Sequence, residues 1–411
     1  MKSINKVITE AKDYKTELFL IIYLFIYISA LSIWGIQQPA WGDEEHFFET
    51  VKLFGSNFTL DTLRTYKEMS TPLPFILYAL WGKLFSYELP MLRVFSLIVA
   101  AITYIILYVT SLEIVKCRWH ALLFVIFFSL IPYNIGASLF IFTEMLTFLF
   151  VILFIYGAMK RVYWLIAVAG AGMLLSRQYT VYMILALIVH ELIYTIKNKK
   201  FDFYKFVSLG VACMPLAGLI ILWNGLCPDS NLRSIYLTDG LSYHPVGATL
   251  YIAQVAIYLF PFILVRAKEI FRSSLTFSAI PFGVLWYWFF PVGVSPVVLA
   301  GKQYTTNGYF HRTLNVLFPL EIVNIIFAVS FLIGFIVLLN LIVRYLITFK
   351  EMIGDLNQFL ILSVFFFFLI QPFSYLWWEK YFLPIMPSLM FVLYQLNNNS
   401  KKICGELHGA L

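Results

Sequence analysis

The chain has 411 residues, 61% of them hydrophobic and only 12% charged, with 41 Phe, 26 Tyr and 10 Trp. A mean hydropathy of +0.84 and the lack of any long polar stretch exclude a soluble domain. The net charge of +7 does not point to nucleic acid, because the excess of Lys and Arg on cytoplasmic loops of membrane proteins generates it alone.

Apolar runs of about 17–25 residues, the length a helix needs to cross a bilayer core of roughly 30 Å, recur along the whole chain. The first is predicted over 17–36. No small-residue cleavage site follows it, so it reads as a retained anchor. Directly after it comes Trp41-Gly42-Asp43-Glu44-Glu45-His46. Consecutive carboxylates at a membrane edge are costly beside lipid, so they read as a proton relay, an ion site or a catalytic base.

The next apolar segment, Thr71–Glu88, opens with Pro72 and Pro74 and carries Gly82 and Lys83. It is short for a span and reads as a re-entrant or interfacial helix. Charge decides its placement. If it crosses, Lys116/Arg118, Lys160/Arg161 and Lys197/Lys199/Lys200 fall opposite the Lys-rich N-terminus. If it does not, they join Lys2, Lys6, Lys12 and Lys15, and nineteen of the 29 Lys and Arg lie inside. The positive-inside rule selects the second arrangement.

The remaining spans are predicted at 91–112, 120–136, 143–159, 162–176, 179–196, 204–224, 246–264, 274–291, 315–343, 357–375 and 381–396. The expected fold is therefore an all-α polytopic membrane protein, a single integral-membrane domain over 1–411. It has about twelve transmembrane helices, both termini are cytoplasmic, and the first outer loop, 37–90, is long. The other outer segments are turns near 137–142 and 177 and the loops 225–245, 292–313 and 376–380. Cys117, Cys213, Cys227 and Cys404 form no CxxC, and only Cys227 falls outside, so neither a disulfide framework nor a zinc site is expected.

Several outer basic residues run against the positive-inside rule. They include Arg93 at the head of the second span, Arg177 before Gln178, Lys302, His311-Arg312, and Lys380 before Tyr381. They either snorkel to headgroups or bind an anion such as phosphate. Glu144 heads the fourth span, either as a helix-dipole partner capped by Thr143 or as a second acid that orients a substrate. Glu321 and Asn324, a turn apart, either line the same cavity or bond between helices. His190-Glu191 reads as structural. Trp41, Trp377 and Trp378 suit either a sugar ring or the interfacial aromatic belt.

No Walker loop, dinucleotide glycine pattern, HExxH or serine elbow is present. An enzyme with its acids outside then needs a donor other than ATP or a nucleotide sugar, and a lipid-phosphate-linked donor meets that need.

Asp43-Glu44, the Tyr66–Pro74 stretch, Met91-Leu92-Arg93-Val94, Thr143-Glu144, Arg177-Gln178 and Glu379-Lys380-Tyr381-Phe382-Leu383-Pro384 occur in this order. The ordered set resembles the GT-C superfamily of polyprenyl-phosphate-sugar-dependent membrane glycosyltransferases. Within it, the set is closest to the dolichyl-phosphate-glucose α-1,2-glucosyltransferases and to bacterial O-antigen glucosyltransferases. It departs from that pattern in the spacing of His46, which comes one position early, in Lys380 where Arg is usual, and in its compact loops. Those loops and the Lys/Asn-rich ends favour a bacterial enzyme using undecaprenyl phosphate.

The resemblance implies a GT-C-like fold, with 17–200 as the common module, juxtamembrane helices in 37–90, and 201–411 as variable helices forming the donor and acceptor cavity. It implies transfer of a hexose, best glucose, to a hydroxyl of a glycan or lipid-linked glycan, with inversion. Asp43 is the implied general base, with Glu44 one residue along as the alternative. Arg177, His311, Arg312, Lys380 and Lys302 would bind the donor phosphate; Glu144, Gln178, Arg93, Tyr381 and Trp41 would bind substrate. No cofactor or metal is implied, a divalent cation being left open. The expected partners are the lipid-linked donor, the glycan acceptor and membrane lipids, with no nucleic acid. The expected place is a bacterial inner membrane with the site facing the periplasm, or alternatively the endoplasmic reticulum with the site in the lumen. A lipid-linked-sugar flippase or other transporter, which would show inverted repeats, and a polysaccharide polymerase or ligase, which would favour a long late outer loop, are the rival readings.

Overall fold

The computed structural model describes residues 14–228, 242–271, 274–300 and 306–395. Among the described residues every regular element is helical. Seven helices among the described residues are long and apolar enough to cross a membrane: Lys15–Gly35, Leu89–Val115, Gln178–Asn198, Phe203–Trp223, Pro245–Val265, Leu320–Met352 and Leu356–Phe373. At 1.5 Å per residue, each reaches about 27 Å or more, and helices satisfy their own backbone groups, which lipid demands. Large apolar side chains such as Ile33, Ile221 and Trp288 stand exposed on the outside of the bundle. The chain is an α-helical membrane protein.

Its two ends are chemically distinct. At one end Arg93, near the start of the Leu89–Val115 helix, donates to the carbonyl of Gly35, where the first helix finishes. At the other, Arg118 pairs with Glu17 at 3.3 Å and Lys160 with Glu113 at 2.7 Å. The Glu144–Lys160 helix joins the two, since Glu144 lies with Arg177. Lys116, Arg118 and Lys160 thus gather at the end away from the acidic motif. This is where the charge argument places them if the proline segment does not cross. That segment forms a helix only over Leu73–Leu84, with Pro in its first turn. At about 18 Å it is too short to span. It packs on the Glu44–Ser56 helix through Phe75, whose ring lies 5.3 Å from that of Phe47.

Several predicted spans differ. The 120–136 span is broken into Arg118–Ser129 and Pro132–Leu139, bent by 79°. Pro132 removes a backbone donor and keeps Ile131 extended, which ends the first helix. The 143–159, 162–176 and 274–291 spans form helices of 17, 14 and 16 residues, at or below the lower limit of about 17 for a crossing. The 315–343 span becomes a short Tyr309–Leu317 helix and a long Leu320–Met352 helix, separated at Phe318-Pro319. The 381–396 span opens with 3-10 turns at Glu379–Tyr381 and Leu383–Ile385 before the Met386–Gln395 helix. Close packing of the Pro245–Val265 and Leu320–Met352 helices depends on Gly334, where any Cβ would collide with the carbonyl oxygen of Ile252.

Candidate functional site

The acidic motif begins on a turn that Gly42 closes at φ +61°, a left-handed conformation glycine adopts without strain. Helix Glu44–Ser56 follows with Asp43 at its N-cap. Consecutive helical residues point about 100° apart, so the three acids diverge.

Glu44 turns inward and is fully buried. It meets Arg93 in a two-pronged pair, Nε to Oε1 at 3.0 Å and Nη2 to Oε2 at 2.5 Å. Glu44 also accepts from the amides of Ile141 at 3.0 Å and Trp41 at 3.2 Å. Arg93 spends its other protons on the carbonyls of Gly35, Ile36, Gln38 and Pro39. Every polar atom of the pair is satisfied, and neither residue lines the cavity described next. The structure thus places Glu44, the alternative to Asp43 as base, and Arg93, a candidate substrate ligand, outside that cavity, in a staple that fastens the loop to the first two long helices. Glu45 is exposed.

Asp43 makes no capping bond. It opens instead into a cavity of about 520 Å³ shared with His46, Glu68, Arg177, Arg312, Lys380 and Tyr381. Its carboxylate pairs with Lys380 and stands 3.8 Å from His46 Nε2. Lys380 lies 3.8 Å from Glu144, which accepts from Arg177 at 2.5 Å. On the other side, His46 Nδ1 bonds Glu68 at 2.8 Å, and Thr50 donates to the same Glu68 oxygen at 2.9 Å. A continuous chain of charge results: Arg177, Glu144, Lys380, Asp43, His46, Glu68.

The Lys380 ammonium holds the Asp43 carboxyl well below the usual carboxylate range, against the opposing effect of burial. Burial works against a charged His46, but bonds to Asp43 and Glu68 and their charges outweigh it and push the imidazole up to about 9. Burial likewise opposes charge on Lys380 and Arg177, and their carboxylates raise both above their ordinary values. At neutral pH Asp43, His46, Lys380 and Arg177 are therefore all charged.

Arg312 adds an exposed cation that makes no ion pair among the described residues. The buried Nε of Arg177 also has no hydrogen-bond partner among the described residues. Aromatic rings also line the space. Trp41 stacks on Tyr309 at 5.3 Å and 11°, and Tyr309 lies 4.9 Å from Tyr133.

Compared with models of known protein families, with curated proteins and with solved structures, the chain matches none.

Of the residues singled out in the sequence, Asp43, Trp41, Arg177, Arg312, Lys380 and Tyr381 meet in one cavity. Glu144 stands directly behind, holding Arg177 and Lys380. Gln178 does not line the space; its amide supports the wall by donating to the Met69 carbonyl at 2.7 Å. His311 also turns away, buried, its Nδ1 accepting from the Asn307 amide at 3.2 Å. Lys302 lies outside the described residues. Thr143 gives Glu144's helix no side-chain cap. Glu321 and Asn324 are exposed and do not reach the cavity. Among the described residues no group of His, Cys, Asp or Glu is arranged to hold a metal ion.

Glu68, Tyr133 and Tyr309 were not singled out by sequence. Glu68 sits inside the Tyr66–Pro74 stretch, and that membership is its only signal in the sequence. For the two tyrosines, among 26, nothing local marks them.

Proposed function

We propose that this protein is a GT-C-type membrane glycosyltransferase of about twelve spans, transferring a hexose, best glucose, from a polyprenyl-phosphate donor to a hydroxyl of a glycan or lipid-linked glycan. The short helices that run between the two ends of the bundle supply the spans beyond the seven long ones. The membrane is a bacterial inner membrane and the Asp43 end faces the periplasm, because the basic loops gather at the far end.

One observation carries the reading. A single cavity at that end brings a carboxylate, Asp43, together with Arg177, Lys380 and Arg312 and aromatic rings. A phosphodiester needs the cations, a sugar ring suits the aromatics, and an attacking hydroxyl needs the acid.

In the resting site Lys380 masks Asp43. A donor phosphate competes for that ammonium, and the carboxylate is then free to act as base. Asp43 takes the acceptor hydroxyl proton as the oxygen attacks the anomeric carbon. The bond from that carbon to the phosphate oxygen breaks, and its electron pair leaves with the lipid monophosphate. Arg177, Arg312 and Lys380 stabilise the developing charge, so no general acid is required. Attack opposite the phosphate inverts the centre. A transporter fits less well, since these acidic and basic side chains gather at one end of the helices and not at their middle.

The test is release of lipid phosphate from polyprenyl-phosphate glucose by the purified protein with candidate lipid-linked glycans, beside Asp43→Asn. No release with any acceptor counts against the enzyme.

A further inference from the structure

Glu379 is a buried carboxylate that the transfer chemistry does not use. It is 1% exposed and among the described residues has no cationic partner. All its bonds come from neutral donors: Tyr258 Oη and the Phe310 amide to Oε2, each at 3.0 Å, and the His311 amide to Oε1 at 3.0 Å. Its own amide donates to the Asn307 carbonyl at 2.9 Å. The chain enters the Tyr309–Leu317 helix through Gly308 at φ +144°, where a Cβ would lie 2.5 Å from the Glu379 carboxyl carbon. The carboxylate thus seats on the first-turn amides of that helix, where the helix dipole favours negative charge.

This contact matters because it fixes the start of a helix held otherwise mainly by ring contacts, Tyr309 on Trp41 and Tyr133, and Phe310 and His311 on Phe327. Only His311 and Leu314 of its nine residues are buried, and the chain breaks after it at Phe318-Pro319. Yet it carries Tyr309 and Arg312 into the cavity, while the turn that bears Glu379 carries Lys380 and Tyr381.

We propose that Glu379 is a positioning residue: its carboxylate locks the Tyr309–Leu317 helix to the Glu379–Tyr381 turn, so that Arg312 and Lys380 meet one donor phosphodiester together. This rests on the transferase reading above. The two cations come from elements that no covalent neighbour holds in register, and Glu379 supplies that register without touching substrate.

The experiment compares full-length wild type, Glu379→Gln and Tyr258→Phe in lipid nanodiscs, with undecaprenyl-phosphate glucose as donor and a lipid-linked glycan as acceptor. Gln keeps the shape but sets an N–H against a donor. Glu379→Gln is expected to raise the donor KM about tenfold, the scale of a lost hydrogen bond to a charged group, with kcat changed less than about threefold. Amide exchange at Phe310 and His311 should accelerate in the same variant. Tyr258→Phe leaves both amides bonded and should show a smaller shift in the same direction, which keeps the test open if Glu379→Gln folds poorly. Unchanged donor KM in a folded Glu379→Gln, with wild type active, overturns the positioning role alone. Faster exchange without a change in KM reduces Glu379 to a structural contact and also overturns it. An inert wild type overturns the transferase reading first, and the phosphodiester role of Glu379 with it.

Discussion

Lys380 and Asp43 form an ion pair between the Glu379–Tyr381 turn and the segment that follows the first long helix, 337 residues apart in the chain. The cation proposed to meet a phosphate therefore rests on the acid proposed to take a proton. In the proposed reading each masks the other until a donor phosphate competes for the ammonium.

Asp43→Asn should lower transfer by about 10²–10⁴-fold, the usual contribution of a positioned base. Thermal stability in detergent should fall too, because the buried Lys380 ammonium is left with the more distant Glu144 at 3.8 Å, but by less than for a fully buried pair, since Asp43 is partly exposed. Lipid-phosphate release and a melting curve check both. Near-normal turnover in this variant would remove Asp43 as the base.

Glu44→Gln is expected to do the opposite. Breaking one side of a buried ion pair costs about 3–5 kcal/mol, so Glu44→Gln and Arg93→Met should melt far earlier and yield less protein. The fraction that stays folded should keep kcat within a few-fold. A folded Glu44→Gln with no turnover would return the catalytic role to Glu44.

Lys380→Met removes the main influence that depresses the Asp43 carboxyl. The carboxyl then moves up towards the ordinary range near 4, and kcat/KM should gain an acid limb, falling as pH drops through that range. Wild type, its carboxyl held lower, should show no such limb above pH 4. Donor KM should also rise at least tenfold with the lost phosphate contact. A wild-type profile with the same acid limb would separate Lys380 from Asp43.

His46 is raised from 6.5 to about 9 in the folded protein. A group raised on folding contributes stability that is fully present below its unfolded value near 6.5. That contribution fades as pH rises through about 9. Melting temperature should therefore fall between pH 7 and 10 more in wild type than in His46→Gln. Parallel curves would show that the bonds to Asp43 and Glu68 do not favour the imidazolium.

Glu379 is pushed by burial up to about 7, the amides of Phe310 and His311 pulling it back part of the way. For an acid, a raised value means that the folded state holds its proton more firmly than the unfolded chain. Its ionisation thus costs stability as pH climbs from about 4.5 to 7. Relative to Glu379→Gln, the wild-type melting temperature should decline across that interval. A constant difference would show that the carboxylate is fully compensated by its donors.

By itself, the sequence determined the membrane class, the gathering of basic loops away from the acidic motif, and the short proline-led helix. Hydropathy and charge are carried by single segments, and lipid sorts each segment whatever its neighbours do. Pro132 and Pro319 were visible too, and each marks a break where a continuous span was expected. It also placed Asp43, Arg177, Arg312 and Lys380 among the candidates. Tertiary structure alone decided their roles. Asp43 and Glu44 are adjacent and chemically alike, and the turn of the helix sends one to the cavity and the other to Arg93. Equally, the partnerships of Lys380 with Asp43, Glu68 with His46 and Glu379 with the Tyr309–Leu317 helix join segments far apart in the chain. No local pattern encodes such meetings, because they follow from which helix faces pack together.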